Sequence, residues 1–315
     1  MVRVVFSDLD GTLVHYEKEW TGYAHVVSQN ESLRTLTLKY KDTGDTFECA
    51  LMPASGTTPA ACISLNTLAL VQRLRESDVK FVIITGARSS TFAVRRAALP
   101  LADYEFCENG GRMLKGGALD ANWTATRYAA EIGAATYVPQ ELVPSSENAP
   151  PPERREGTLW DAYRVFAARP GEWKLDTRDY YTSFRVDVAA SPGKTEQDLR
   201  NVLAQFNGAL SMSFNLGKAD VYPSSSGKRN AAAYVLEVER IAAADSVAIF
   251  DDDNDIELGE LVGRGFLPGV THASVKQAAA RNPHWTITSS PGPRGTEEAL
   301  RAVLALVEAK AAVAA

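Results

Sequence analysis

The stretch Val4-Val5-Phe6-Ser7-Asp8-Leu9-Asp10-Gly11-Thr12-Leu13-Val14 passes from an apolar run straight into two carboxylates. Residues 2–6 read as a buried parallel strand, because the run is apolar without alternation. Side chains two apart on an extended chain point the same way, so Asp8 and Asp10 leave the strand tip together. Gly11 permits a sharp turn, and Thr12 sets a hydroxyl beside the pair. Two acids at the carboxyl end of a strand suit a hard cation, and one of them can attack phosphorus.

Outward from this stretch, strands and helices alternate. Residues 63–77 carry Leu65, Leu68, Leu70, Val71 and Leu74 at mostly helical spacing behind a Ser64 cap. Residues 80–85 form a second buried strand ended by Gly86, residues 89–98 a helix, and residues 104–107 a third strand. The pattern returns late: helix 228–241, strand 246–250, a helix from about 254, strand 285–288 and helix 296–313. This order predicts an α/β fold with a doubly wound, Rossmann-like parallel sheet.

Between 116 and 224 the rhythm changes. Pro144, Pro150, Pro151 and Pro152 mark residues 141–157 as a long exposed loop. Residues 182–188 alternate as a half-buried strand, and 211–214 with 219–222 read as a hairpin joined through 215–218. The expected organisation is a discontinuous core, 1–115 and 225–315, with an inserted α+β cap domain at 116–224. A further hairpin is expected within 33–52, where 35–40 and 46–51 alternate around Asp42-Thr43-Gly44. It is open whether that hairpin is a flap over the Asp8/Asp10 end, a structural element or a dimer contact.

A chain of 315 residues with 45% hydrophobic content can bury a full core and fill two domains. Its net charge of -6 argues against nucleic acid or an anionic membrane as partner. No apolar run approaches the roughly 20 residues that span a bilayer. The chain enters its first strand without the pattern of a secretory signal. Cys49, Cys62 and Cys107 lack metal-ligand spacing, so a reduced, cytoplasmic protein is expected. His15, His25, His272 and His284 are read as structural or solvated. Nothing in the sequence speaks to oligomeric state.

Three more motifs follow the first, each at a strand end or helix start. Thr85 and Gly86 offer a hydroxyl and backbone amides to phosphate oxygens. Ser225-Ser226-Gly227-Lys228 opens a helix with a cation that suits phosphate and Asp8. Asp251, Asp252, Asp253, Asn254 and Asp255 crowd carboxylates at one strand end, which calls for a metal.

Taken together and in order, these motifs resemble those of the haloacid dehalogenase-like phosphohydrolases, in the class whose cap lies between the second and third motifs. That class includes Cof-type sugar phosphatases, sucrose-phosphate phosphatases and phosphomannomutases. Glu108-Asn109-Gly110-Gly111 and Gly292-Pro293-Arg294-Gly295-Thr296 add smaller echoes. The resemblance implies a Mg²⁺-dependent phosphatase acting on a small phosphorylated metabolite, most simply a sugar phosphate. Asp8 would be the nucleophile and form an aspartyl-phosphate; Asp10 would be the general acid and base. Mg²⁺ would be held by Asp8, the Asp10 carbonyl and Asp251. Thr85, Gly86, Lys228 and Asn254 would bind the phosphoryl group, with Asn254 and Asp255 orienting the metal ligands or Lys228. The alternative is a phosphomutase of the phosphomannomutase kind, which would use the same motifs. Phe250 stands where glycine is common, Asp252 where serine is common and so competes as a metal ligand, and Arg88 lies one residue beyond the arginine often seen after Thr-Gly. Lys174, Arg178 and Arg185 are cap candidates for a second anionic or hydroxyl-rich group.

Overall fold

The computed structural model describes the chain apart from residues 54–59, 146, 216–217, 271 and 315. Two compact units form: Met1–Ile83 with Val94–Asp103 and Ala232–Ala315, and Ile84–Ala93 with Tyr104–Ala231.

In the first unit the strand Val4–Ser7 lies between Lys80–Ile84 and Ser246–Ile249, followed by Arg264–Leu267 and Trp285–Ile287, every pair parallel. Val4, Val5, Phe6 and Val247 to Phe250 are fully buried, as apolar runs covered on both faces must be. The chain leaves Val4–Ser7 toward one side of the sheet and later returns on the other. The ends of Val4–Ser7 and Ser246–Ile249 therefore flank a topological switch point, where connections diverge and leave a crevice. The α/β class with its doubly wound parallel core is the one the sequence predicts.

The helix Leu65–Glu76 starts where expected: the Ser64 hydroxyl accepts from the Asn66 amide at 3.2 Å and donates to Glu297 at 2.7 Å. The last helix, Gly292–Ala314, begins earlier than the predicted 296, because Pro293 fits a first helical turn. The strand Arg264–Leu267 and helix Ala273–Arg281 were not foreseen. That strand contains Gly265, a position where a Cβ would meet the Trp285 ring at 2.8 Å. The 33–52 hairpin forms within a larger sheet. Thr35–Tyr40 and Thr46–Leu51 pair as expected, but they belong to a five-stranded antiparallel sheet with Ala24–Asn30, Ala61–Ser64 and His15–Tyr16. Ala24–Asn30 is an exposed edge strand with a bulge between Val26 and Ser28, so it lacks the alternation that marks a half-buried strand. One face of this sheet buries Trp20, Leu36, Leu38, Cys49 and Cys62 together.

The second unit holds the antiparallel sheet Lys174–Asp176, Phe184–Asp187, Lys218–Pro223, Leu210–Asn215, in that spatial order, with helices Thr158–Ala167 and Glu196–Leu203. Phe184 and Val186 are buried, while Arg185 between them and Asp187 after them are half-buried. Of the predicted 215–218 connection, 216 and 217 lie outside the described residues, as does 146 in the proline-rich loop. Among the described residues no helix is long and apolar enough to cross a membrane.

Two stability predictions follow from the first unit. Leu38→Ala empties a fully buried site and is expected to cost about 2–5 kcal/mol in urea unfolding, whereas Leu33→Ala, at 70% exposure, stays within about 0.5 kcal/mol. Burial pushes the His15 imidazole down to about 3. The unfolded chain then binds a proton below about pH 6.5 that the folded one refuses. The stability owed to neutral His15 is complete above that pH and declines as pH falls toward 3. His15→Gln should therefore lose about 2 kcal/mol less than the parent between pH 7 and 5, read by denaturant titration at each pH.

Candidate active site

The first unit gathers the two outer motifs of the sequence. The Asp8 amide donates to the Ile249 carbonyl at 2.9 Å, which locks the first strand tip to its neighbour. The chain then turns within Leu9–Val14: the Leu13 and Val14 amides both donate to the Leu9 carbonyl, and the Gly11 amide donates to Val14. Gly11 is required here for two reasons. Its φ is +86°, and a Cβ would stand 2.3 Å from Asp251 Oδ2. The Thr12 hydroxyl donates to Asp251 Oδ1 at 2.7 Å, and Thr296 holds the Thr12 carbonyl from below. Asp8 and Asp251 are both buried, at 5% and 2% exposure.

This crowding has an electrostatic signature. The Asp251 carboxyl is pushed well above the usual carboxylate range, first by burial and then by the Asp8 charge, with Asp255 and Asp252 adding to it and the Thr12 hydrogen bond opposing it. A hard cation relieves such a set. Among the described residues no group of three or more His, Cys, Asp or Glu side chains can hold an ion unaided. The donor set therefore fits Mg²⁺ only with main-chain oxygen, phosphate and water making up the remainder, as that ion commonly requires.

The acidic loop divides its duties. Asp252 Oδ1 accepts from the Asp253 amide at 2.9 Å, capping the short helical turn Asp253–Asp255. Asp253 is bonded by the Ser274 hydroxyl and lies 3.1 Å from His272 Nδ1. Asp255 is fully buried, Asn254 half-buried. Phe250, in place of a glycine, stacks edge-on against Trp285 with ring centroids 5.0 Å apart. Gly259 makes room for both rings, since a Cβ there would come within 2.5 Å of each.

Asp10 has partners that sequence reasoning missed. Its Oδ1 accepts from Arg95 Nη1 at 2.5 Å and from the Tyr16 hydroxyl at 2.8 Å, and Arg95 Nη2 donates to that same hydroxyl at 3.0 Å. Arg95 is 1% exposed. Burial alone would lower its pKa, yet Asp10 and Tyr16 outweigh that and hold it charged. A signal was available: Ser89, Phe92 and Arg95 share one buried helical stripe, and a charge on such a stripe demands a partner.

The second unit gathers the two middle motifs. The Thr85 hydroxyl accepts from the Ala87 amide at 3.0 Å, and the Thr85 carbonyl accepts from the Asn109 amide at 3.0 Å. The Asn109 carbonyl in turn accepts from the Gly227 amide at 2.8 Å and the Ser226 hydroxyl at 3.1 Å. Asn109 thus ties the Thr85-Gly86 turn to the start of the helix Lys228–Val238, where Lys228 is 2% exposed. Glu108 and Asn109 take left-handed conformations, φ +53° and +55°. The buried Glu108 carboxylate holds them, accepting from the Ser89 and Thr182 hydroxyls and from the Tyr181 and Thr182 amides at 2.6–2.8 Å. Arg88 pairs with Asp176 at 3.2 Å. Of the cap candidates, Arg185 binds Asp220 through two hydrogen bonds and Arg178 binds Asp176 likewise. Lys174, Arg178 and Arg185 line one cavity of about 250 Å³ with Asp176, Asp187 and Lys218.

Residues 156–288 match the family model described as haloacid dehalogenase-like hydrolase. Comparison with curated proteins finds no match. Among solved structures, the sucrose-phosphatase of Synechocystis, in complex with sucrose and phosphate, superposes with a TM-score of 0.61 at 14% identity, covering 96% of this chain and 98% of its own. The subclass IIB sugar phosphatase BT4131 gives 0.56 at 14% identity, with 96% and 99% covered. BT1666 from Bacteroides thetaiotaomicron, studied among the phosphatases of the superfamily, gives 0.52 at 16%, with 96% and 94% covered. Residues 156–288 thus match a haloacid dehalogenase-like hydrolase model, and the fold is shared along nearly the whole chain with sugar phosphatases of known structure.

Proposed function

We propose that the protein is a Mg²⁺-dependent phosphoric monoester hydrolase acting on a small sugar phosphate through an aspartyl-phosphate. The observation that carries this reading is the burial of Asp8 beside Asp251 at neighbouring strand ends, with Gly11 and Thr12 fitted against the second carboxylate. The hydrolase family match and the phosphatases that share the fold support it.

In this reading Asp8 attacks phosphorus in line and displaces the sugar oxygen. Asp10 protonates that oxygen as it leaves, then takes a proton from the water that releases phosphate from Asp8. The Thr85 hydroxyl, the Gly86 amide and the Lys228 ammonium hold the phosphoryl oxygens and offset charge as the bond breaks. Asp8, Asp251 and the Asp10 carbonyl hold Mg²⁺, which supplies the positive charge that lets an anionic nucleophile approach an anionic phosphate. Asn254 contacts the phosphoryl group, and with Asp255 it orients the ligands around the ion. Residues 116–224 act as the cap that selects the substrate, and the cavity of about 250 Å³ in the second unit favours a compact one. Free, buried Cys49, Cys62 and Cys107 accord with a cytoplasmic, reducing setting.

The test is release of phosphate from p-nitrophenyl phosphate with Mg²⁺ or with chelator, for the parent and for Asp8→Asn. A fall of at least about 10³-fold is expected on chelation and in the variant; equal rates in the two proteins defeat the assignment. Across a panel of phosphorylated metabolites, hexose or disaccharide phosphates should give the highest kcat/KM. A nucleotide leading that panel would overturn the substrate class while leaving the chemistry intact.

A further inference from the structure

The Asp10 carboxyl is held unevenly. Both Arg95 and the Tyr16 hydroxyl donate to Oδ1, and among the described residues Oδ2 takes no hydrogen bond. The two donors also bond each other, Arg95 Nη2 to the Tyr16 oxygen at 3.0 Å, with the guanidinium carbon 5.2 Å from the centre of the Tyr16 ring. The three side chains close a ring of hydrogen bonds, and Arg95 and Tyr16 are nearly without solvent access at 1% and 5% exposure. Further bonds hold the ring in place: the Tyr16 amide donates to Glu19 at 2.9 Å, at the start of the helix Glu17–Tyr23.

We propose that Arg95 and Tyr16 are positioning residues that fix the Asp10 carboxyl in one rotamer and confine its transferable proton to Oδ2. The proposal rests on the phosphatase reading above. An oxygen already accepting from a guanidinium and a phenol has no room for a proton of its own, so the acid form of Asp10 carries it on Oδ2. When the phosphorus–oxygen bond to the leaving group breaks and the Asp8–phosphorus bond forms, that proton passes to the departing oxygen. The carboxylate left behind is met by the Arg95 charge. In the second half, Oδ2 takes a proton from water as the water oxygen bonds to phosphorus and the Asp8–phosphorus bond breaks, which restores both aspartates. Preorganisation of this kind matters because a catalytic proton must pass over hydrogen-bond distance in a set direction.

Leaving-group dependence separates this role from a merely structural one. Phenyl phosphate expels a basic phenolate that needs a proton, whereas 2,4-dinitrophenyl phosphate expels a weakly basic anion that does not. For Arg95→Gln and Tyr16→Phe, kcat/KM with phenyl phosphate should fall about tenfold to hundredfold, a fraction of the roughly 10²–10⁴ that a general acid supplies. With 2,4-dinitrophenyl phosphate the change should stay within about threefold, and Asp10→Asn should show the same selectivity more strongly. Equal losses on both substrates overturn the proposal. Tyr16→Phe keeps the ring and loses one oxygen, so it decides the matter should Arg95→Gln fail to fold. A parent enzyme that releases no phosphate from either ester sinks the phosphatase reading, and the positioning role with it; parallel losses in the variants sink the positioning role alone.

Discussion

Two buried carboxylates side by side, Asp8 and Asp251, are the constraint to which the rest of the first unit answers. Like charges about 4 Å apart in an effective dielectric of about 20 repel by about 4 kcal/mol. The Thr12 hydroxyl opposes this with a hydrogen bond to a charged group, a kind of bond that contributes about 1.5–3 kcal/mol. The surroundings are nonetheless shaped around the pair: a glycine where any Cβ would strike the carboxylate, and a threonine from the last helix beneath the loop. A carboxyl in such a neighbourhood either takes up a proton or is met by positive charge, and functional sites are where proteins tolerate this.

The parts of the fold legible in the sequence are those with local causes. The strands at 4–7, 80–84 and 246–249 announced themselves as apolar runs, and Ser64 marked a helix start because its cap bonds lie within two residues. The outer motifs were legible too, since a carboxylate at the tip of a buried strand is a local pattern. What escaped was set by distant partners. Ala61–Ser64 is four buried residues leading into a helix, and only its pairing with Thr46–Leu51 makes it a strand. Arg264–Leu267 carries a glycine whose reason is the Trp285 ring, twenty residues on. Arg95 lies 85 residues from Asp10, and no spacing rule links the two.

The second unit shows the same division. The Glu108-Asn109-Gly110-Gly111 run stood out as a pattern, yet its role became readable only from the structure. A left-handed glutamate costs roughly 1–2 kcal/mol, and four hydrogen bonds to its buried carboxylate hold it there. Through Asn109, that bend joins the Thr85 turn to the helix headed by Lys228. Two residues taken as separate motifs are thus fixed to one short stretch of backbone.

The pairing of Val4 with Ser246 has a consequence for biogenesis. At about 5–20 residues per second, the ribosome needs roughly 10–50 s after making the first strand before its second neighbour, Ser246–Ile249, exists. The second unit, complete by Ala231, is available to fold within that interval. The opening strand meanwhile has Lys80–Ile84 to pair with on one edge, while its other edge stays open. The order of synthesis thus favours a finished second unit before the strand Val4–Ser7 has gained both of its neighbours.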